Sequence, residues 1–204
     1  MDSIRNVVFD MGGVLMDWNP TKIAHALCDD PDDAALLART VFDSREWGWA
    51  DAGAVSEETV AWTAQLRLPE RLHELAEVFA LRWHEVFEPM PATGELVREL
   101  KEAGYGVYLL SNASPSFKRY CERIPAFECF DGVLVSCFEH VVKPDAAIYL
   151  LLCERYGLVP SECLFVDDVE RNVVGARRAG MQAYRFDGDV DALRRFIRDG
   201  EPAA

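Results

Sequence analysis

The sequence predicts an α/β protein: a Rossmann-like parallel sheet interrupted, after its first strand, by an inserted α-helical segment. Three observations predict it. Short apolar or β-branched runs recur at residues 4–9, 107–110, 132–135, 163–166 and 182–185. After Pro91 these runs alternate with single helical patterns, the spacing of βαβ crossovers, which makes neighbouring strands parallel. Between residues 17 and 88 no strand-like run occurs, and helical patterns follow one another instead. The expected organisation is a core of residues 1–16 and 89–204 with a helical insertion of residues 17–88.

Ile4–Phe9 is apolar and β-branched and is closed by Asp10-Met11-Gly12-Gly13, a buried strand ended by a turn. Helices are expected over Thr21–Leu27, Pro31–Phe42, Ser56–Leu66 and Pro69–Phe87. Ser56 followed by two glutamates is a helix start, and Pro69 suits a first helical position. Residues 44–53, with Trp47, Trp49 and two glycines among both charge signs, read as a loop. Two readings of it stand: a recognition loop, in which Trp47 and Arg45 face a ligand, or indole rings that pack the insertion's interior. Trp62 and Trp83 fall inside helical patterns and are expected in the core, and Trp18-Asn19-Pro20 marks the hinge.

In the second part, Thr93–Ala103 is a helix stopped by Gly104. Val107–Leu110 is a strand ending in Ser111-Asn112, and Ser114 or Pro115 opens the next helix. Gly132–Val135 is a strand, and Lys143-Pro144 leads into a helix over Asp145–Tyr156, stopped by Gly157. Cys163–Val166 ends in Asp167-Asp168 and is followed by a helix over Val169–Ala179, stopped by Gly180. Gln182–Arg185 and Val190–Arg198 are the last strand and helix. Residues 201–204 are expected to be unstructured.

Composition narrows the function. Of 204 residues, 50% are hydrophobic and 27% charged, the balance of a globular chain, and the formal net charge is −14. Such a surface is repelled by phosphate backbones and anionic lipid, so neither nucleic acid nor membrane is an expected partner. The start has no apolar signal region, and no apolar run approaches the ~20 residues of a membrane span. Six cysteines without a Cys-x-x-Cys pair read as reduced thiols of a cytoplasmic protein. The four histidines are too scattered for a zinc site. Nothing in the sequence fixes an oligomeric state.

Polar residues stand immediately past the apolar runs: Asp10, Ser111-Asn112 and Asp167-Asp168, with Lys143 ahead of a helix. In a parallel sheet the three strand ends share one edge, where ligands bind. Three carboxylates with backbone carbonyls suit a hard cation, Mg²⁺ by preference. A hydroxyl, an amide and a lysine suit a phosphoryl group, and a carboxylate can itself be a nucleophile. Gly12 and Gly13 permit close backbone approach and offer N–H donors.

The order Asp-x-x-Gly-Val-Leu, Ser-Asn, Lys-Pro, Asp-Asp resembles the haloacid dehalogenase-like hydrolases over essentially the whole chain. The resemblance implies that the insertion is an α-helical cap over the site. It implies Asp10 as nucleophile, Ser111 and Asn112 as phosphoryl binders, and Lys143 as the group that orients Asp10 and neutralises charge. It also implies Mg²⁺ held by Asp10, the Gly12 carbonyl and Asp168, with Asp167 as a second acid and Asn172 supporting the metal's surroundings.

Phosphatases of that family usually carry a second Asp where this chain has Gly12, so the usual general acid–base side chain is missing. The stretch from Asp10 to Val14 is similar to an Asp-x-Gly-x-Val branch of bacterial glucose-1-phosphate phosphatases. The resemblance thus implies an Mg²⁺-dependent phosphatase of a small phosphorylated metabolite such as a sugar monophosphate. Asp17 is weighed as a substitute acid against a solvated hinge residue. The alternatives are a 2-haloacid dehalogenase, which lacks both metal and acid pair, and an inactive phosphate-binding relative. Residues 17–90 carry 15 acids and 6 bases; so acidic a cap is expected to disfavour polyanionic substrates.

Overall fold

A computed structural model of the chain describes residues 3–199, so the expected unstructured tail lies outside the described residues. Five parallel strands, β1 (Asn6–Phe9), β2 (Gly106–Ser111), β3 (Gly132–Val135), β4 (Cys163–Asp167) and β5 (Gln182–Arg185), form one sheet of order β3-β2-β1-β4-β5. The chain builds outward from β1 to β3, then crosses to the other side of β1. This reversal opens a crevice at the carboxyl ends of the central strands. Registry pairs Phe9 with Leu109 on one side and with Val166 on the other, so the residues following β1, β2 and β4 meet at one edge.

Period-two alternation gives the sheet two apolar faces. Val8, Tyr108, Leu110 and Phe165 pack under α9 (Ala146–Tyr156) and α10 (Glu170–Arg178). Val7, Phe9, Val107, Leu109 and Val166 face α6 (Pro91–Glu102) and α11 (Val190–Asp199). The second cluster continues into the insertion through Ile23, Leu37, Val60 and Phe79. Sheet and insertion therefore share one apolar interior.

The insertion holds α1 (Pro20–Leu27), α2 (Pro31–Val41), α3 (Arg45–Asp51), α4 (Glu57–Gln65) and α5 (His73–Arg82). The chain leaves and returns side by side: Asp17 N donates to Glu88 O (2.8 Å) and Met90 N to Leu15 O (2.8 Å). Lys22 ties both connections through Asp17 and Glu88. Asn19 caps α1 by accepting from Lys22 N. Two short helices, α7 (Phe117–Tyr120) and α8 (Ser136–Glu139), follow β2 and β3.

Several expectations are corrected. The stretch read as a loop is a helix, α3, because Ser44 caps it at Trp47 N (3.1 Å) and Glu46 is held by Arg67 through 2.6 and 2.9 Å hydrogen bonds. Those contacts outweigh the ~1 kcal/mol that an internal glycine costs a helix. The single helix expected over Pro69–Phe87 tightens to 3₁₀ turns over Glu70–Leu72 and Trp83–Val86. Helix α7 starts at Phe117, later than Ser114 or Pro115. Trp62 is 58% exposed, because Val60, Ala61 and Ala64 form the buried face of α4. Trp83, at 3% exposure, is in the core as expected.

Candidate active site

Asp10 follows β1, and its N–H is held by Val166 O (2.9 Å) of the neighbouring strand. Its carboxylate accepts from Met11 N (2.7 Å) and faces the Lys143 ammonium at 2.7 Å. Lys143 is buried, and its Nζ also reaches Asp167 Oδ2 at 2.8 Å. Phe165 offers its ring face 5.3 Å from that nitrogen. Burial alone would lower the ammonium's pKa, but Asp10 and Asp167 outweigh it and hold the group above its ordinary value. Burial drives the Asp10 carboxyl well above the carboxylate range, opposed by Lys143 and reinforced by Asp167. Burial and Asp167 also raise Asp168.

Asp167, expected as a metal ligand, and Asn112, expected as a phosphoryl binder, both spend their side chains on the protein itself. Asp167 Oδ1 accepts from Val169 N (2.8 Å) and Asn172 Nδ2 (3.1 Å), and Oδ2 accepts from Lys143 and from Asn172 Nδ2 (3.0 Å). Asp167 is fully buried and works as an internal anchor. Asn112 spends its amide on the backbone of Lys143, accepting from Lys143 N (2.9 Å) and donating to Lys143 O (3.0 Å). Its side chain therefore fixes Lys143 in place. Ser111, the last residue of β2, is buried, and its hydroxyl has only a 3.5 Å contact to Asn112 O.

The glycines differ in use. Gly13 has φ +73°, and a Cβ there would lie 2.4 Å from Asp168 Oδ2, so glycine lets Asp168 approach the loop. Its N–H donates to Met16 O (2.8 Å) and is not offered to a ligand, contrary to expectation. Gly12 lines the cavity, and a Cβ there would meet Trp18 Cβ at 3.2 Å.

These groups floor a cavity of about 330 Å³. Asp10, Gly12, Ser111, Asn112, Lys143 and Asp168 lie at its base, with Asn172 beside them. Its walls come from the insertion and its return, Trp18, Phe42, Trp47, Trp83 and Phe87, and from Tyr120 of α7. Trp18 and Trp47 stack at 5.9 Å, and Trp83 meets Trp18 edge-on at 5.1 Å. Trp47 thus both lines the cavity and packs, which joins the two readings of its segment. Arg45 is exposed and does not line the cavity: residues two apart on a helix point away from each other. Among the described residues, the arginine at the cavity is Arg171, in the first turn of α10. Asp17 is also outside the lining, paired with Lys22 at 2.9 Å.

Sequence reasoning missed the insertion's polar contribution. Asp43 and Asp51 line the cavity. Glu57 is buried and accepts from Ser114 Oγ of the core. The C-terminal end of α3 docks on α8: Ser136 Oγ donates to Asp51 O (2.5 Å), and His140 Nδ1 lies 3.2 Å from Ala52 O. A Cβ on Gly53 would sit 2.1 Å from Cys137 O at φ +68°, so only glycine permits this approach. Gly53→Ala is expected to lift α3 and cost about 2 kcal/mol or more of stability, read as a lowered urea midpoint.

The site suits a hard divalent cation. Asp10, Asp167 and Asp168 present carboxylate oxygens within 4.8 Å of one another. The one buried ammonium pairs with Asp10 and Asp167 and not with Asp168, and all the donors are oxygens. The Asn172 Oδ1, buried without a partner, supplies one more acceptor at the cavity.

Comparison with known proteins agrees with this geometry. A sequence model described as haloacid dehalogenase-like hydrolase matches residues 4–180. The chain is 29% identical to sesquiterpene phosphatase astK of Aspergillus oryzae, over 88% of each chain. It is 30% identical to the N-acetylmuramic acid 6-phosphate phosphatase of Pseudomonas aeruginosa, over 87% of this chain and 79% of that one. It is 26% identical to (S)-2-haloacid dehalogenase 4A of Burkholderia cepacia, over 91% and 84%. Among solved structures, the enzyme bt-2542 of Bacteroides thetaiotaomicron, crystallised with magnesium and inorganic phosphate, shares the fold with a TM-score of 0.69. It is 19% identical, and the match covers 95% of this chain and 100% of that one.

Proposed function

The chain belongs to the haloacid dehalogenase-like hydrolases, and from that premise we propose that it is an Mg²⁺-dependent phosphatase of small organic monophosphates that works through an aspartyl phosphate on Asp10. The observation that carries this reading is the site's charge: three clustered carboxylates against one buried ammonium. A dehalogenase without metal would keep Asp168 beside Asp10 uncompensated, a costly arrangement. A cation neutralises it and, when bound, supplies charge stabilisation for the phosphoryl oxygens. Asp10, Asp168 and the Gly12 carbonyl would hold it. Asp167 stands one step back, orienting Lys143 and receiving Asn172.

Each residue then has a task. Lys143 holds the Asp10 carboxylate by one oxygen and leaves the other to attack phosphorus. The Ser111 hydroxyl, with its single long contact, donates to a phosphoryl oxygen. Asn112 keeps Lys143 in register from behind. The aromatic walls exclude water and meet the leaving portion. They suit a compact group with a hydrocarbon face, which a sugar ring and a terpenoid both present, as in the substrates named for the two phosphatase relatives.

Purified protein should release phosphate from p-nitrophenyl phosphate and from members of a panel of hexose and terpenoid monophosphates. EDTA should reduce the rate to background, and added Mg²⁺ should restore it. Chloride release from chloropropionate that EDTA leaves unchanged, with no phosphate release, would replace this reading with the dehalogenase one. A bisphosphate as best substrate would contradict the selection expected of the acidic cap.

A further inference from the structure

Hydrolysis of a phosphate ester moves a proton twice: the leaving oxygen must gain one, and the attacking water must lose one. The groups at the base of the cavity do not carry out these transfers. In the phosphatase reading Asp10 is the nucleophile and Asp168 would hold the cation, and Lys143 is held as an ammonium between two carboxylates. Gly12 has no side chain. Among the described residues, the carboxyls lining the cavity that remain are Asp43, which is exposed, and Asp51.

Resting on the phosphatase reading, we propose that Asp51, delivered by the insertion, is the general acid and base of the reaction. Asp51 ends α3 and opens onto the cavity that Asp10 floors. Its position is fixed by the core: its own carbonyl accepts from Ser136, and Ala52 and Gly53 abut His140 and Cys137. The groups that face it are Glu57 from α4, Tyr120 from α7, Cys137 from α8, and Lys143. Burial, reinforced by Glu57 and only partly offset by Lys143, raises its pKa to about 7. A group poised there serves both directions near neutrality.

The two steps balance. Asp10 forms a bond to phosphorus, the ester P–O bond breaks, and the Asp51 proton passes to the leaving oxygen, releasing an alcohol. Water then attacks phosphorus, the bond to Asp10 breaks, and the water's proton returns to Asp51 as phosphate leaves.

The test is Asp51→Asn in rapid-quench kinetics with two substrates. Phenethyl phosphate has an alkoxide leaving group that needs the proton. p-Nitrophenyl phosphate leaves as a stable phenolate. First-turnover alcohol release should fall about 10²–10⁴-fold. First-turnover nitrophenolate release should fall less than tenfold and be followed by accumulation of phosphorylated enzyme, because the second step has lost its base. The wild-type limb near pH 7 should vanish from the kcat/KM profile. The variant should also be more heat-stable than wild type at pH 8: a carboxyl with a raised folded pKa loses stability as pH rises through that range, and asparagine does not. Equal losses on both substrates in a variant with an unchanged or higher Tm would overturn the assignment, as would no loss on either. A wild type that forms no phosphorylated enzyme and hydrolyses neither substrate would overturn the phosphatase reading, and the assignment with it.

Discussion

Asp10→Asn is expected to abolish turnover while the protein remains folded. Asparagine keeps the shape and can still accept from Met11 N, whose bond to Asp10 Oδ1 is 2.7 Å. It cannot attack phosphorus, so kcat should fall by about 10⁴-fold or more, the scale for loss of a covalent nucleophile. Stability should move the other way. The Asp10 carboxyl is raised well above its ordinary value by burial, with Asp167 reinforcing the shift and Lys143 opposing it. A raised acid contributes stability below its unfolded pKa and loses it as pH rises. Above neutrality, and without added metal, the variant should therefore melt at or above the wild-type temperature. A variant that loses activity and unfolds would mean that Asp10 is a structural member of the Lys143 cluster. Thermal melts from pH 5 to pH 8, run alongside the rate assay, decide between the two.

Lys143→Met should cost both activity and stability. The ammonium is buried and counters Asp10 at 2.7 Å and Asp167 at 2.8 Å. Methionine fills the channel but leaves two buried carboxylates facing each other, a loss of about 3–5 kcal/mol. Activity should drop at least about 10³-fold, because the group that neutralises phosphoryl charge is gone. The stability loss should depend on pH. Without the ammonium, the Asp10 carboxyl is raised further, so the variant comes closest to wild type in acid and departs from it as pH rises. Adding Asp167→Asn should recover part of the stability and none of the activity. Urea unfolding of the single and double variants at two pH values measures this. A pH-independent loss would assign the effect to packing.

Much of the core was legible because its signals are local. Each strand is a short apolar run with turn residues behind it, and Gln182–Arg185 and Gly132–Val135 match their expected bounds. Asp10, Ser111 and Asp168 were marked by standing past those runs and Lys143 by standing ahead of a helix, and all four line the one cavity.

What was not legible depends on tertiary contacts. Asp167 and Asp168 are adjacent and alike in sequence, yet strand alternation turns Asp167 inward to Lys143 and Asn172 and leaves Asp168 at the cavity. Asn112 looks like a ligand group until Lys143, 31 residues on, takes both ends of its amide. Helix α3 escaped because Trp, Gly and Asp are weak helix formers, and its support comes from Arg67 on the far side of α4. Trp62 and Trp83 look equivalent as sequence, but only Trp83 is turned onto the cavity wall. Asp51 carries no motif at all. Its meaning arises where Gly53 lets α3 close on Cys137.

The most direct measurement is a rapid quench of wild-type protein during turnover of p-nitrophenyl phosphate with Mg²⁺, followed by peptide mass mapping. The expected result is one phosphoryl group on the peptide that contains Asp10, absent when EDTA is present and absent in Asp10→Asn. Phosphate release at full rate with no phosphoryl adduct at any time point, or an adduct that persists in Asp10→Asn, would contradict an aspartyl phosphate at the end of β1.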